Sequence, residues 1–183
     1  MATVSGNNSF LQRLIGAAAL DAAIYEEVEA DPAATAQAFA VVVLSSVAAG
    51  IGASDFGGPS VARIVFFSIV SLLAWAAWAV VTFEIGTRLM PGDETRADVG
   101  QLLRTLGFSA TPGLLRVLGV MPAVTVPVFA VTAVWMLAAM VVAVRQALDY
   151  RSTGRAIGVC VLGWVLAVAI AIVLGVVFGP SVS

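Results

Sequence analysis

The amino-acid sequence predicts an all-α membrane protein, a single domain of 183 residues built as a polytopic bundle of transmembrane helices. Hydrophobic residues make up 61% of the chain and charged residues 11%, whereas a soluble domain usually carries about 25% charged residues. The mean hydropathy of +1.04 indicates the same class. Several apolar stretches also approach the ~20 residues that a helix needs to cross the hydrocarbon core. These observations predict that lipid surrounds most of the chain.

The N-terminal stretch from residue 9 to residue 31 is predicted to form an amphipathic cytoplasmic helix. Ser9 and Gln12 have the spacing of a capping box, which favours a helix that begins here. The apolar stripe comprises Leu11, Leu14, Ile15, Ala18, Ala22 and Tyr25, and the opposite face carries Asp21, Glu26 and Glu29. Such a helix lies along the membrane surface or folds under the bundle. Its acidity indicates packing against arginine-rich inner loops of the same chain.

The rest of the chain, residues 33–183, is predicted to form a bundle of five spans. Asp31 and Pro32 have the pattern of an N-cap followed by a helix-starting proline. The uninterrupted spans are expected at about residues 33–53, 60–88, 128–144 and 156–178. One further apolar stretch, 102–121, is interrupted by glycines, by Pro112 and by Arg116. This stretch is either a broken third span or a re-entrant segment.

The distribution of arginine decides between these two interpretations. With five spans and a cytoplasmic N-terminus, the inner side receives Arg13, Arg88, Arg96, Arg104, Arg145, Arg151 and Arg155. The outer side receives Arg63, and Arg116 lies within or near the outer leaflet. A re-entrant segment would instead move Arg145, Arg151 and Arg155 outside. Because arginine accumulates on the cytoplasmic side of membranes, the sequence favours five spans in the cell membrane, with the C-terminus outside.

The composition also argues against several classes of function. The chain has no histidine, which removes the usual general base and the commonest zinc ligand. Cys160 is the single cysteine, so no intrachain disulfide can form. The net charge of −2 disfavours nucleic-acid binding, which needs a basic surface. We therefore expect no enzymatic activity, no cofactor or metal, and no nucleic-acid partner.

A candidate intramembrane polar site comprises Glu84, Arg88, Pro112, Arg116 and Asp55. Glu84 and Arg88 are four residues apart and can pair, either as an ion pair near the inner interface or as a proton or ion site. Arg116 either points into the bundle and approaches Asp55, or extends to the outer headgroups. Pro112 removes a backbone N–H, which either kinks the helix or exposes backbone at a substrate site.

Three motifs give the chain a resemblance to a known family. They are the stretch from Tyr25 to Pro32 (YEEVEADP), the turn from Asp55 to Pro59 (DFGGP), and Leu106 to Pro112 (LGFSATP). In this combination the chain resembles the Yip family in a bacterial form, the family being five-span membrane proteins named for interaction with Ypt/Rab GTPases. The resemblance covers nearly the whole chain. It implies five helices, a cytoplasmic N-terminus and a place in a bacterial inner membrane.

Two functions are compatible with these observations. The first is a membrane scaffold or adaptor that binds protein partners through the helix of residues 9–31 and the arginine-bearing loops. The alternative is a small transporter, channel or lipid-moving protein that uses the break near Pro112 together with Glu84 and Arg116. The scaffold predicts a compact bundle, and the transporter predicts a polar cavity lined by those residues. The lipid bilayer is a partner in both cases, and either protein could assemble as a homo-oligomer.

Overall fold

The structure, a computed structural model, describes residues 8–53, 61–92, 97–121 and 123–178. Within these ranges every regular element is helical, which confirms the all-α fold class. The α-helices are α1 (Phe10–Ala18), α2 (Ala22–Ala30), α3 (Ala34–Gly52), α4 (Val61–Glu84), α5 (Val99–Phe108), α6 (Thr125–Ala147) and α7 (Thr153–Phe178). A π-helical turn, Ile85–Leu89, extends α4, and a 3-10 helix, Thr111–Val120, follows α5.

The segment predicted as one amphipathic helix is divided into two. Leu20 has a φ of 63°, a left-handed backbone conformation that a continuing helix cannot contain. Asp21 then caps α2, because its Oδ1 accepts a hydrogen bond from the backbone N–H of Ala23 at 3.0 Å. The helices α1 and α2 therefore form a tight helical hairpin. The predicted capping box at Ser9 and Gln12 is confirmed, since both of its hydrogen bonds are present.

Three of the described helices are long and apolar enough to cross a membrane. They are α3, the continuous stretch from Ile64 to Leu89, and α6. The first part of α7, from Thr153 to Leu166, is apolar as well. The surface of α4 exposes large apolar side chains to its surroundings, namely Val61, Val65, Phe66, Ile69, Val70, Leu73 and Val80. An apolar exterior of this kind confirms that the chain is a membrane protein.

The interrupted segment consists of α5 and the 3-10 helix, and it runs parallel to α3. A methyl group at Gly107 would lie 2.6 Å from the Cβ of Ala38, and one at Gly113 would lie 2.1 Å from the Oγ of Ser45. Further along, Gly119 packs against the carbonyl oxygen of Gly52. The break falls at residues 109–110, between the end of α5 and the start of the 3-10 helix. Pro112, in the first turn of the 3-10 helix, lacks the N–H that would continue the α-helix. The two halves together follow α3 from its second turn to its end.

The α1–α2 hairpin packs where α3 and α5 begin and α6 ends, and we call this end of the bundle the hairpin end. Hydrogen bonds join it there to Gln37, Gln101 and Gln146. The largest fully buried side chains include six in the same region, namely Tyr25, Val28, Leu102, Phe108, Val144 and Leu148. The hairpin is therefore part of the hydrophobic core and is not a loosely attached extension.

Candidate functional site

Arg13 lies at the centre of the junction between the hairpin and α3. Its side chain is only 4% exposed. Nε donates to Oε1 of Glu27 at 3.0 Å, Nη2 lies 2.7 Å from Oδ2 of Asp31, and Nη1 donates to Oε1 of Gln37 at 2.9 Å. Asn8 completes the group by donating its backbone N–H and its side-chain amide to the carboxylate of Glu27. We call these five residues the Arg13 cluster.

The geometry of the Arg13 cluster follows from the planar, fork-shaped guanidinium group. Its donors point in fixed directions, so one arginine can join α1, α2 and the first turn of α3. The buried positive charge is paired with the carboxylates of Glu27 and Asp31, as a buried arginine requires. The hydrogen bond from Arg13 lowers the pKa of Asp31. The carboxylate therefore stays ionised and continues to hold the hairpin over the physiological pH range.

A second set of contacts attaches α2 to α5 and α6. The guanidinium of Arg104 donates to the backbone carbonyl oxygens of Val28 and Glu29, at 3.1 Å and 2.9 Å from Nε. These carbonyls belong to the last turn of α2, where backbone acceptors are unpaired and a cation is favourable. The side chain of Glu29 accepts from Gln101 at 3.0 Å, and that of Glu26 accepts from Gln146 at 2.8 Å.

Aromatic side chains attach the connection between α1 and α2. The buried Tyr25 donates its hydroxyl to the carbonyl oxygen of Ala17 at 3.2 Å, and burial raises its pKa. The indole Nε1 of Trp135, in the middle of α6, donates to the carbonyl oxygen of Ala18 at 2.7 Å. Phe10 contacts Phe108 edge to face, with 6.4 Å between the ring centroids. Both ends of α1 are thus fixed to the bundle.

Four carboxylates approach one another where α2 meets the beginning of α5 and the end of α6. Burial and the nearby charges of Asp149, Glu26 and Asp98 raise the pKa of Glu29 to about 7, although the positive charge of Arg104 opposes the shift. Glu26, Asp98 and Asp149 themselves are exposed. We call Glu26, Glu29, Asp98 and Asp149 the acidic surface.

The raised pKa of Glu29 predicts that hairpin attachment weakens as the pH rises. The folded protein binds the Glu29 proton more tightly than the unfolded chain does, because the pKa of Glu29 in the unfolded chain is 4.5. The resulting stabilisation is therefore complete below about pH 4.5 and is lost as the pH rises through about 7. Hydrogen exchange of the α2 amides should accelerate between pH 6 and 8, after correction for intrinsic exchange. In Glu29→Gln this additional acceleration should be absent, and an identical pH profile in the two proteins would contradict the assignment.

The other side of the hairpin end is held by Tyr150 and carries exposed arginines. The Tyr150 hydroxyl lies 2.6 Å from the carbonyl oxygen of Met90 and 3.2 Å from that of Gly86, at the end of α4. Nη1 of Arg155 donates to the carbonyl oxygen of Pro91 at 2.7 Å. The side chains of Arg151 and Arg155 are exposed. The hairpin end therefore has an acidic side next to α2 and a basic side next to the start of α7.

The residues of the predicted polar site are distributed over both ends of the bundle. Glu84 and Arg88 form the expected ion pair, at 3.0 Å from Oε2 to Nε, with side chains that are 42% and 72% exposed. This pair lies on the outer surface of the π-helical turn near the hairpin end. The geometry is that of an exposed ion pair, which contributes little to stability.

Arg116 and Pro112 lie in the 3-10 helix, towards the opposite end. Pro112 is buried. Arg116 is half-buried, its Nε donates to Oγ1 of Thr132 at 3.2 Å, and its guanidinium carbon lies 5.3 Å from the centre of the Phe129 ring. The expected approach of Arg116 to Asp55 falls outside the described residues, as does the turn of residues 54–60. Among the described contacts, Arg116 is held by α6 through a hydroxyl and an aromatic face.

The Arg13 cluster was not among the sites predicted from the sequence. Sequence patterns predict Arg13 only as a positive charge on the inner side. A usable signal was present, because Arg13 shares its helix face with Phe10, Leu14 and Ala17. An arginine on the apolar face of a short helix indicates a buried partner, and Glu27 and Asp31 lie on the next helix.

The fold and these contacts define a helical membrane protein whose acidic N-terminal hairpin is built into one end of the bundle. The family model of the Yip1 domain matches residues 21–175, and the chain therefore belongs to the Yip1 family. The matched region begins at the N-cap of α2 and extends to within three residues of the end of α7. No curated protein and no solved structure matches the chain.

Proposed function

We propose that this protein is a membrane scaffold or adaptor that binds a protein partner at its hairpin end, which faces the cytoplasm. The observation that carries the proposal is the Arg13 cluster. It holds α1, α2 and α3 together through a buried guanidinium, and so gives the polar end of the bundle a fixed shape. A preorganised surface loses less conformational entropy on binding than a flexible extension would.

The charge of this end indicates the chemistry of the partner. The acidic surface presents exposed carboxylates at Glu26, Asp98 and Asp149, next to the partly buried Glu29. Charges of one sign on a fixed surface steer an oppositely charged partner towards it. The partner therefore presents a basic segment. Membership in a family whose members interact with Rab GTPases makes a small GTPase one candidate for that partner.

The cytoplasmic orientation and the five spans belong to the same proposal. Arg13, Arg88, Arg104, Arg145, Arg151 and Arg155 all lie at or near the hairpin end, and arginine favours the cytoplasmic side. The parallel course of α3 and of α5 with the 3-10 helix supports two spans of the same direction. The intervening α4 then returns through the membrane, and α6 and α7 complete five spans.

The packing of the interrupted segment favours the scaffold over the transporter. At Gly113 a methyl group would meet Ser45, and at Gly52 it would meet the backbone of Arg116. The helices are therefore in direct contact on the side of the break that faces α3. A substrate path at such a break needs room for the substrate beside the freed backbone, and α3 occupies that position.

The test is site-specific photo-crosslinking of the full-length protein in its native membrane. A photoreactive amino acid at Glu26 should capture a discrete partner, whereas the same group at Val120, at the opposite end, should not. The captured protein, once purified, should bind the reconstituted scaffold with an affinity that falls as salt rises. Equal capture at both positions, or salt-independent binding, would contradict the proposal.

The transporter alternative is tested in the same reconstituted protein. Proteoliposomes should show lipid scrambling and small-ion flux no faster than protein-free vesicles. A flux that is abolished by Arg116→Ala would instead support the alternative function.

A further inference from the structure

We infer that α1 is immersed in the lipid leaflet at the hairpin end, where Leu11 and Ile15 contact acyl chains. This inference concerns the lipid contacts of the hairpin and does not depend on the proposed adaptor function. The hydrocarbon of that leaflet then covers the exposed face of α1.

The first observation is the apolar character of the exposed face. Leu11 and Ile15 are one helical turn apart, and they are 64% and 62% exposed. The opposite face of α1 carries the buried Arg13 and Ala17. Exposed leucine and isoleucine on adjacent turns are unfavourable in water, and the same arrangement is favourable where the helix lies in the acyl boundary of a membrane.

The second observation is the level at which α1 is attached along the membrane spans. Trp135, which donates to Ala18, lies twelve residues before the end of α6 at Ala147. Those residues correspond to about 18 Å along the helix axis. A tryptophan side chain is considerably shorter than this distance. The C-terminal end of α1 must therefore lie well inside the span of α6.

The N-terminal end of α1 also lies at the level of a membrane span. Phe10 packs on Phe108, and the adjacent Gly107 contacts Ala38 in the second turn of α3. Because α3 is a candidate membrane span that begins at Ala34, both ends of α1 lie at the level of spanning helices. The exposed carboxylate of Asp21 limits the depth, since it must reach water or headgroups. An interfacial helix with its apolar face about 5–10 Å into the boundary satisfies all of these constraints.

The test is spin labelling of single cysteines in a Cys160→Ala background, in proteoliposomes of low protein content. Probes are placed at Leu11 and Ile15, with Leu137 on the exposed side of α6 as the lipid-facing reference and Ser152 in the loop as the aqueous reference. The two α1 probes should resemble the Leu137 probe. Compared with the Ser152 probe, oxygen should relax them several-fold more, and a water-soluble nickel chelate should relax them several-fold less. Relaxation like that at Ser152 would overturn the inference.

Two further results separate lipid from other occupants of this face. Dipolar broadening between probes at Leu11 would show that a second copy covers α1, and loss of collisions with both reagents would show burial in protein. Either result overturns the inference. A small apolar diazirine applied to the unmodified protein should in addition label Leu11 and Ile15, which excludes an effect of the introduced probes. Absence of label from α1, with label present on α6, would also overturn it.

Discussion

Replacing Arg13 with alanine is expected to detach the α1–α2 hairpin from the bundle. The change removes three side-chain contacts at once and leaves Glu27, which is 13% exposed, without its cation. Breaking a buried ion pair by removing one partner typically costs about 3–5 kcal/mol. Asp31 is 30% exposed and can be partly rehydrated, so we expect about 3 kcal/mol, the lower end of this range.

The measurement is hydrogen exchange of the full-length protein in detergent micelles. Amides of α1 and α2 should lose protection in Arg13→Ala, whereas those of α6 should keep it. Arg155→Ala is the matched control, because it also removes an arginine from the hairpin end, but one that is exposed and bonds a single carbonyl oxygen. Unchanged protection of α1 and α2 in Arg13→Ala would show that the cluster does not hold the hairpin.

Replacing Gly52 with alanine is expected to destabilise the contact between α3 and the 3-10 helix. The new Cβ would lie 1.8 Å from the carbonyl oxygen of Arg116 and 3.3 Å from the Phe129 ring. A backbone oxygen cannot rotate away as a side chain can, so the helices must separate. Overpacking in a well-packed core costs about 1–3 kcal/mol, and we expect the upper end of this range.

Thermal unfolding can be followed through the one native thiol. Cys160 is buried in α7, so a thiol-reactive dye reports unfolding without any added label. Gly52→Ala should lower the midpoint by several degrees. In the control, Gly154→Ala, the nearest atom to the new Cβ is Ser152 Oγ at 3.4 Å, and its midpoint should be unchanged or slightly higher. Equal midpoints for the two variants would refute the packing argument.

The helical class, the start of α1 and the interruption of the third segment could be predicted from the sequence. Each depends on local rules that involve composition or close neighbours in the chain. Ser9 and Gln12 form reciprocal capping hydrogen bonds, and Pro112 lacks the backbone N–H that a continuing α-helix would need at that position. The ion pair of Glu84 and Arg88 also follows from spacing alone.

The division of the N-terminal segment could not be predicted, because Leu20 adopts a positive φ that its residue type disfavours. Contacts from Trp135 and Tyr25 to the carbonyl oxygens just before Leu20 hold this conformation. The acidity of the N-terminal segment predicts contacts with arginine-rich loops. In the described contacts its carboxylates instead meet Arg13 of the same hairpin and the amides of Gln101 and Gln146. Gln101 and Gln146 are distant from α2 in sequence, so spacing gives no signal for them.

Many attachments at the hairpin end share one chemical form, in which a side chain donates to a backbone carbonyl oxygen. Arg104, Trp135, Tyr150 and Arg155 bind the chain in this way. Every residue type carries that acceptor. Saturation mutagenesis should therefore give an asymmetric tolerance map, with few replacements accepted at Arg104, Trp135 and Tyr150, which are buried or partly buried, and many accepted at exposed acceptor positions such as Pro91.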